Sequence, residues 1–493
     1  MAGAAQPVSA ISQPDWDTLL SKHCFALIVA LLITQGVAGA WPTVHPTGTT
    51  LYNPQAAYPG YVLFAPLSIP IGMSQEAAAK GATIFLVNMR GEVVHRWQVP
   101  FYPLQARLLK NGNLLVTGQI NKGWRNRPGF GKLWMGGATG KIVELTWEGK
   151  TVFSHEDLNM HHAAAKLPNG HYLYPAWERI PAAQQKKVRG GIKGTEFPGG
   201  VMFNDYLVEV DARGKTVWTW HANRHLDPQV DIIGAIYKRE EWSHFNSLAM
   251  MSDGNILLTS RSLDSVMIID KPSGKVIFRW GSTAYLDKAT RSLESTTGPM
   301  RLGGPHGAVE IPANAPGAGH ILCYDNGLYK AVSRAVEIDP ASGRLIWESS
   351  NRGVGRGHFA DIMGNAERLP NGNTLFCEGA NGRFFQTNPS GQIAWEYINP
   401  YVPSPALHGS VFRIHQYAQD YCPQFKMLPP ARGAAVLPSL KAPNDQSQAR
   451  SPAAEPAHEH DDNALPNILG AAVISAIVAA SVAFQLGRRS THV

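Results

Sequence analysis

The sequence predicts an all-β chain: a six-bladed β-propeller with a C-terminal transmembrane helix. Three observations carry that expectation. One strand-and-turn pattern recurs six times, its copies close on aromatic residues, and a stretch near the C-terminus runs apolar and uncharged into two arginines. Charged residues make up only 16% of the 493, whereas 48 Gly and 35 Pro punctuate the chain. That balance suits strands joined by tight turns better than helices. A chain this long exceeds one ordinary core, so a repetitive architecture is the first thing to look for.

At the N-terminus, Cys24 to Gln35 is apolar behind Lys22, and Ala38-Gly39-Ala40 fits a small-x-small cleavage site before Trp41. Residues 1–40 therefore read as a signal peptide or an uncleaved signal anchor. At the other end, 467–487 has the length, roughly 20 residues, that spans a hydrocarbon layer of ~30 Å, and Arg488 and Arg489 in the short tail 488–493 mark a cytoplasmic flank. Between propeller and helix, 426–466 is an Ala/Pro-rich linker. Its His458 and His460 read as solvated residues of that stalk rather than metal ligands. Both ends place the propeller, 41–425, outside the cytoplasm and tethered to a membrane.

The formal charge of +7 is dispersed, with no basic run interleaved with aromatics, which excludes a nucleic-acid groove. Of four cysteines, Cys24 lies in the signal. Cys323 and Cys377 hold similar places in successive repeats, a placement compatible with a disulfide that leaves Cys422 over. No Cys-x-x-Cys or Cys/His zinc spacing is present, and no metal or cofactor is expected.

The repeats themselves are legible. An apolar strand runs into a turn such as Leu-Pro-Asn-Gly, a second strand follows, then a strand with Glu or Asp, a Gly turn and a last strand ending in Trp. The clearest copies span 166–220 and 368–397; others cover 108–155, 250–280 and 310–348, and an opening copy runs from 61 to 97. Asn-Gly and Asp-Gly between alternating apolar runs mark hairpins. Six such meanders must bury both faces against neighbours, which a closed ring of blades achieves and a sandwich does not require. The segment 408–417 (HGSVFRIHQY) is a candidate closing strand.

Residues just before or within the strand nearest the axis converge on the hub. His161, His162, His244, Asn246 and His306 sit there. Counted from Pro168, Ser252 and Pro312, six places upstream fall His162, Asn246 and His306, so three blades present a polar side chain at one level. Arg261 follows on the next strand of the His244 copy. His358, further from its turn, is a loop contact by this count. Trp242, Phe245 and Phe359 are near enough to face an aromatic ligand, though blade packing accounts for each. A lone histidine at a strand start usually makes only structural hydrogen bonds; the matched positions and the arginine favour a site.

WSHFNS (242–247), the Ser-Arg of LLTSRSLDSVMIID (257–270), GPHGAVEIPANAPGAGHILCYDNG (304–327) and the blade 367–400 resemble, in order and context, the bacterial and fungal PAPS-independent arylsulfotransferases. The resemblance covers roughly 50–420 and is strongest over 240–400. It implies ping-pong transfer of a sulfuryl group from an aryl sulfate to a phenol, through a sulfo-histidine. Carried over, His306 is the nucleophile, His244 and Arg261 contact the sulfuryl and phenolic oxygens, the pair His161 and His162 supplies a further donor, and Asn246 is a further contact. Such chemistry asks a protein for an in-line nucleophile and for charge stabilisation, which imidazole and guanidinium supply.

Two other readings compete. A tethered propeller can be a non-catalytic scaffold or accessory subunit in a membrane complex or homo-oligomer. The motif D-P-x-S-G-x-x-x-W at 339–347 also resembles quinoprotein dehydrogenase blades, but no calcium-binding acidic cluster accompanies it.

Overall fold

The computed structural model describes residues 46–67, 82–119, 135–282, 302–349, 358–402 and 409–433. The expected signal segment, the membrane helix and most of the linker lie outside these. Among the described residues no helix is long and apolar enough to cross a membrane.

Six antiparallel sheets of four or five strands form the blades of an all-β propeller. Blade 2 is Tyr102–Leu108, Leu114–Gln119, Gly140–Leu145 and Thr151–Glu156. Blade 3 is Ala165–Lys166, Tyr172–Arg179, Phe203–Val210 and Thr216–His221. Blade 4 is Phe245–Met250, Ile256–Ser260, Ser265–Ile269 and Val276–Trp280. Blade 5 is His306–Glu310, Ile321–Asp325, Arg334–Asp339 and Arg344–Glu348. Blade 6 is Asn365–Arg368, Thr374–Glu378, Arg383–Thr387 and Ile393–Ile398.

Blade 1 is assembled from both ends of the chain. Tyr61–Pro66, Ala82–Val87 and Val93–Val99 receive their inner strand from Val411–Tyr417, with Tyr61 opposite Tyr417 and Leu63 opposite His415. The closing strand expected at 408–417 is therefore present. A second interlock was not legible: Gly48–Tyr52 pairs with the outer strand of blade 6, Tyr52 opposite Trp395.

The repeated residues have a common physical task. The inner hairpins of blades 2, 3, 4 and 6 turn on Asn111-Gly112, Asn169-Gly170, Asp253-Gly254 and Asn371-Gly372. Each glycine takes a φ of 85° to 87°, and each Asn or Asp Oδ1 accepts the backbone N–H two residues on, at 2.9 to 3.1 Å. Second and third strands are buried on both faces, whereas outer strands such as Thr151–Glu156 are mostly exposed. The closing tryptophans clamp one blade to the next. Trp220 Nε1 donates to Gly274 O (2.8 Å), Trp280 Nε1 to Gly343 O (2.9 Å) and Trp395 Nε1 to Met89 O (2.7 Å), each acceptor belonging to the following blade. Because Trp395 joins the last blade to the first, Trp395→Ala should lower the stability by about 3–5 kcal/mol, seen as an earlier urea midpoint. An unchanged midpoint would mean that this clamp is redundant.

The disulfide suggested by the repeats is not formed: Cys323, Cys377 and Cys422 are buried free thiols. Cys323 and Cys377 do hold the same position in blades 5 and 6. Each instead faces an inner-strand carbonyl, Cys323 Sγ 3.6 Å from His306 O and Cys377 Sγ 4.0 Å from Val411 O.

Candidate functional site

Backbone strain gathers at one place. Five described non-glycine residues have positive φ, and four of them, His162 (53°), His244 (46°), Asp264 (49°) and Met363 (64°), lie in or beside the histidine cluster. Such conformations cost about 1–3 kcal/mol each and persist where the surroundings hold them. At His162 the hold is visible. Its N–H donates to Gly137 O (2.7 Å), and its carbonyl accepts from Thr117 Oγ1 (2.8 Å). A Cβ on Gly137 would come within 2.1 Å of the His162 ring, so only glycine leaves room for it. This departure from the ladder is also why blade 3 has an inner strand of just two residues.

His161 and His162 form a chain that starts at a carboxylate. His161 Nε2 lies 3.0 Å from Asp205 Oδ1, both side chains being fully buried. Its Nδ1 is 2.8 Å from His162 Nδ1, and its ring stacks on Trp177 at 4.3 Å. Asp205 Oδ2 accepts from Ser243 Oγ (2.7 Å) and from the Phe245 N–H (2.6 Å). Burial pushes this carboxyl up, but His161 and those donors outweigh it and hold it below the usual range. Nε2 of His161 is thus at ion-pair distance from Asp205 and its Nδ1 at hydrogen-bond distance from His162. His161 is surrounded by Asp205, His162 and Trp177.

The two Nδ1 atoms are close enough to share one proton, an arrangement able to relay charge. With His161 neutral the shared proton belongs to His162, whose Nε2 then carries a lone pair and makes no hydrogen bond among the described residues. The His162 ring itself resists charge, since burial and then His161, His244, His306 and Arg413 push its pKa well down.

His244 packs edge-on against His162, ring centroids 5.0 Å apart. Its Nδ1 is 3.0 Å from Glu241 Oε1, and Glu241 Oε2 accepts from Trp177 Nε1 at 2.9 Å. Asn246 reaches the next blade, its Nδ2 donating to Pro305 O at 2.8 Å; its Oδ1 is buried with no partner.

His306 is fixed most tightly. Asn326 Nδ2 donates to Ala360 O (2.7 Å) and Met363 O (2.9 Å), so its Oδ1 must be the atom turned to His306. His306 Nδ1 donates to that Oδ1 at 2.7 Å and to Gly304 O at 3.0 Å. The lone pair is therefore on Nε2, which accepts only a long contact, 3.3 Å, from the Met363 N–H. The two glycines ahead of it are pinned as well, Gly303 N–H on Asp325 Oδ1 and Gly304 N–H on Asp264 Oδ1, both at 2.8 Å. Burial, then the Arg261 charge, lowers the His306 pKa to about 3, so the ring is neutral at physiological pH.

Arg261 lies 4.9 Å from the Tyr237 ring and has no carboxylate partner among the described residues. The structure thus gathers His162, His244, Asn246, His306 and Arg261 at the hub. His358 is elsewhere, buried among Tyr324, Phe376 and Phe385. Trp242 and Phe245 are core residues, whereas Phe359 is exposed. Sequence reading missed Asp205, Glu241, Asn326 and Arg413. Glu241 sits three residues before His244, which is a readable signal, while Asn326 precedes a glycine and looks like turn punctuation. No group of three or more His, Cys, Asp or Glu among the described residues has a metal-binding arrangement.

The neutral buried histidines make the fold acid-sensitive. His306 titrates near 3 and His358 near 4, both lowered chiefly by burial, and His162 well below its usual value. In the unfolded chain each takes a proton at about 6.5. Their contribution to stability is thus complete above that pH and is lost as the pH falls toward the folded values. Asp264, raised by burial to about 6, and Asp325, also raised, act in the opposite sense. His95, His155, His225 and His415, also lowered chiefly by burial, add to these three, so the histidines outweigh the two carboxyls and the urea midpoint should fall between about pH 6.5 and 4.5; a level or rising midpoint would contradict these protonation states.

A family model described as Arylsulfotransferase (ASST) matches residues 73–399. No curated protein matches the chain. Similar solved structures include a protein of unknown function from Bacteroides caccae (13% identity, 73% of this chain and 99% of that one, TM-score 0.42). A catalytically inactive virginiamycin B lyase from Staphylococcus aureus with quinupristin is similar at 12% identity (72% and 88%, TM-score 0.36). A streptogramin B lyase is similar at 11% (73% and 98%, TM-score 0.36).

Proposed function

The chain belongs to the arylsulfotransferase (ASST) family, and from that premise we propose that it moves a sulfuryl group from an aryl sulfate to a phenol through a sulfo-histidine at His306. The observation that carries this is the Nδ1–H of His306 held by Asn326, which leaves Nε2 as the nucleophilic atom of a neutral ring. Nε2 attacks sulfur, an N–S bond forms, and the S–O bond to the aryl group breaks with its electron pair leaving on the aryloxide. Asn326 Oδ1 then faces the positive charge that develops on the ring. His244, backed by Glu241, donates from Nε2 to the phenolic oxygen when its ring carries both protons. His162 takes the proton of the incoming phenol at Nε2, with the charge relayed through His161 toward Asp205; the second phenolate displaces the sulfuryl group from His306, and the relayed proton is then given up to water while His244 regains one, which restores both imidazoles for the next donor. Arg261 offsets charge on the sulfuryl oxygens.

The apolar segments at 24–35 and 468–486 support a membrane-tethered propeller facing away from the cytoplasm. The test is an assay in which the purified full-length protein releases 4-nitrophenolate from 4-nitrophenyl sulfate when phenol is supplied, with parallel double-reciprocal lines. One observation favours a non-catalytic scaffold: His162 and His306 expose only 4% and 3% of their surface. A folded protein inert toward every aryl sulfate would establish that reading instead.

A further inference from the structure

The strand that closes the ring brings a charge with it. Arg413 lies on Val411–Tyr417, is 7% exposed, and has no carboxylate partner among the described residues. Its Nη2 donates to Asn246 O at 3.0 Å, so the side chain reaches from blade 1 to blade 4, across the ring. Its Nε is buried without a partner. Other arginines of low exposure are matched: Arg368 with Glu337 at 2.8 Å, Arg279 with Asp231 at 3.0 Å, Arg383 with Glu378 at 3.0 Å.

The field of Glu367 offsets part of this charge, but Glu367 makes no ion pair with Arg413. Glu367, on the inner strand of blade 6, is taken by His415 Nδ1 (2.6 Å) and the Gln416 N–H (3.2 Å). Cys323 and Cys377 are buried thiols whose pKa burial pushes up, hence neutral. The remaining charged neighbour, Arg107, adds repulsion. Burial and Arg107 lower the Arg413 pKa to about 10, which still leaves it a cation at neutral pH. A buried cation without a paired anion is strongly destabilising, and a bound anion offsets that cost. Its field lowers the pKa of both His162 and His306, so Arg413 lies within electrostatic reach of the proposed nucleophile.

We propose that Arg413, together with Arg261, forms a tetrahedral-oxyanion site at the hub that holds the sulfate group of the aryl ester and also accepts free sulfate. The identity of the ester rests on the sulfuryl-transfer reading; the anion site does not. Inorganic sulfate, with chloride at equal ionic strength as the control, should raise the Tm of the full-length wild-type protein. Arg413→Gln should lose that rise and about 100-fold in kcat/KM for 4-nitrophenyl sulfate, whereas Arg413→Lys should keep part of both. Sulfate stabilisation equal to wild type in Arg413→Gln, with transfer within about twofold, would reduce Arg413 to a strut between blades. If the glutamine variant does not fold, Arg413→Lys decides: a higher KM and a smaller sulfate shift support the site, and wild-type values overturn it. Sulfate binding through Arg413 in a protein without turnover would retain this site while removing the transferase reading.

Discussion

His306→Asn is expected to fold as the wild type does and to lose sulfuryl transfer by on the order of 10⁴- to 10⁶-fold, the scale on which removal of a nucleophile is felt. Asparagine retains an N–H donor for the Asn326 Oδ1 and fits within the space the imidazole leaves, so the pinned glycines need not move. What disappears is the lone pair that Nε2 offers to sulfur. The decisive measurement joins 4-nitrophenolate release to trapping of ³⁵S-labelled enzyme. Wild-type protein should carry an acid-labile label before acceptor is added, and His306→Asn should carry none. Label that persists in the variant would move the covalent step to another imidazole, His162 or His244.

Asp205→Asn should cost about 10²- to 10⁴-fold in kcat, the range associated with a misplaced general acid or base, with KM for the donor little changed. The amide oxygen can still accept from Ser243 and Phe245, which turns the NH₂ toward His161 Nε2. That nitrogen must then accept, the proton of His161 moves to Nδ1, and the proton shared with His162 reverses its origin. His162 presents N–H where the wild type presents a lone pair, and no carboxylate remains to hold the relayed charge. Replacing charge-assisted hydrogen bonds with neutral ones should also lower stability by about 1–2 kcal/mol. Imidazole ¹⁵N shifts report the tautomers directly; unchanged shifts together with unchanged kcat would refute the relay.

The architecture was legible because its causes are local and repeated. Asn-Gly turns, alternating apolar strands and closing tryptophans appear in successive copies, and the tryptophans do work between blades as their spacing suggested. The offset of six residues from the turn to His162, Asn246 and His306 was legible for the same reason, since the turn is a fixed reference in each copy even though the inner strands run two, six and five residues. What escaped were the groups that orient the histidines. Asp205 sits on a third strand and Asn326 beyond the end of a second strand, and each acts on a residue more than fifteen positions away. Arg413 escaped because the closing strand could be recognised without its charge having any visible partner. The cysteine pairing failed for a related reason: equal positions in neighbouring blades are parallel in sequence, yet each thiol turns to a different inner strand.

A ribosome makes this chain from the N-terminus, so Arg413 is the last residue of the hub to be synthesised, more than a hundred positions after His306. Until Val411–Tyr417 docks on Tyr61–Pro66, the histidines of the other blades have neither a completed ring around them nor the guanidinium that reaches Asn246. Acquisition of the reactive centre is thereby tied to the final step of folding. A chain cut short before residue 410 should not be a weakened version of the protein but one in which the centre was never assembled.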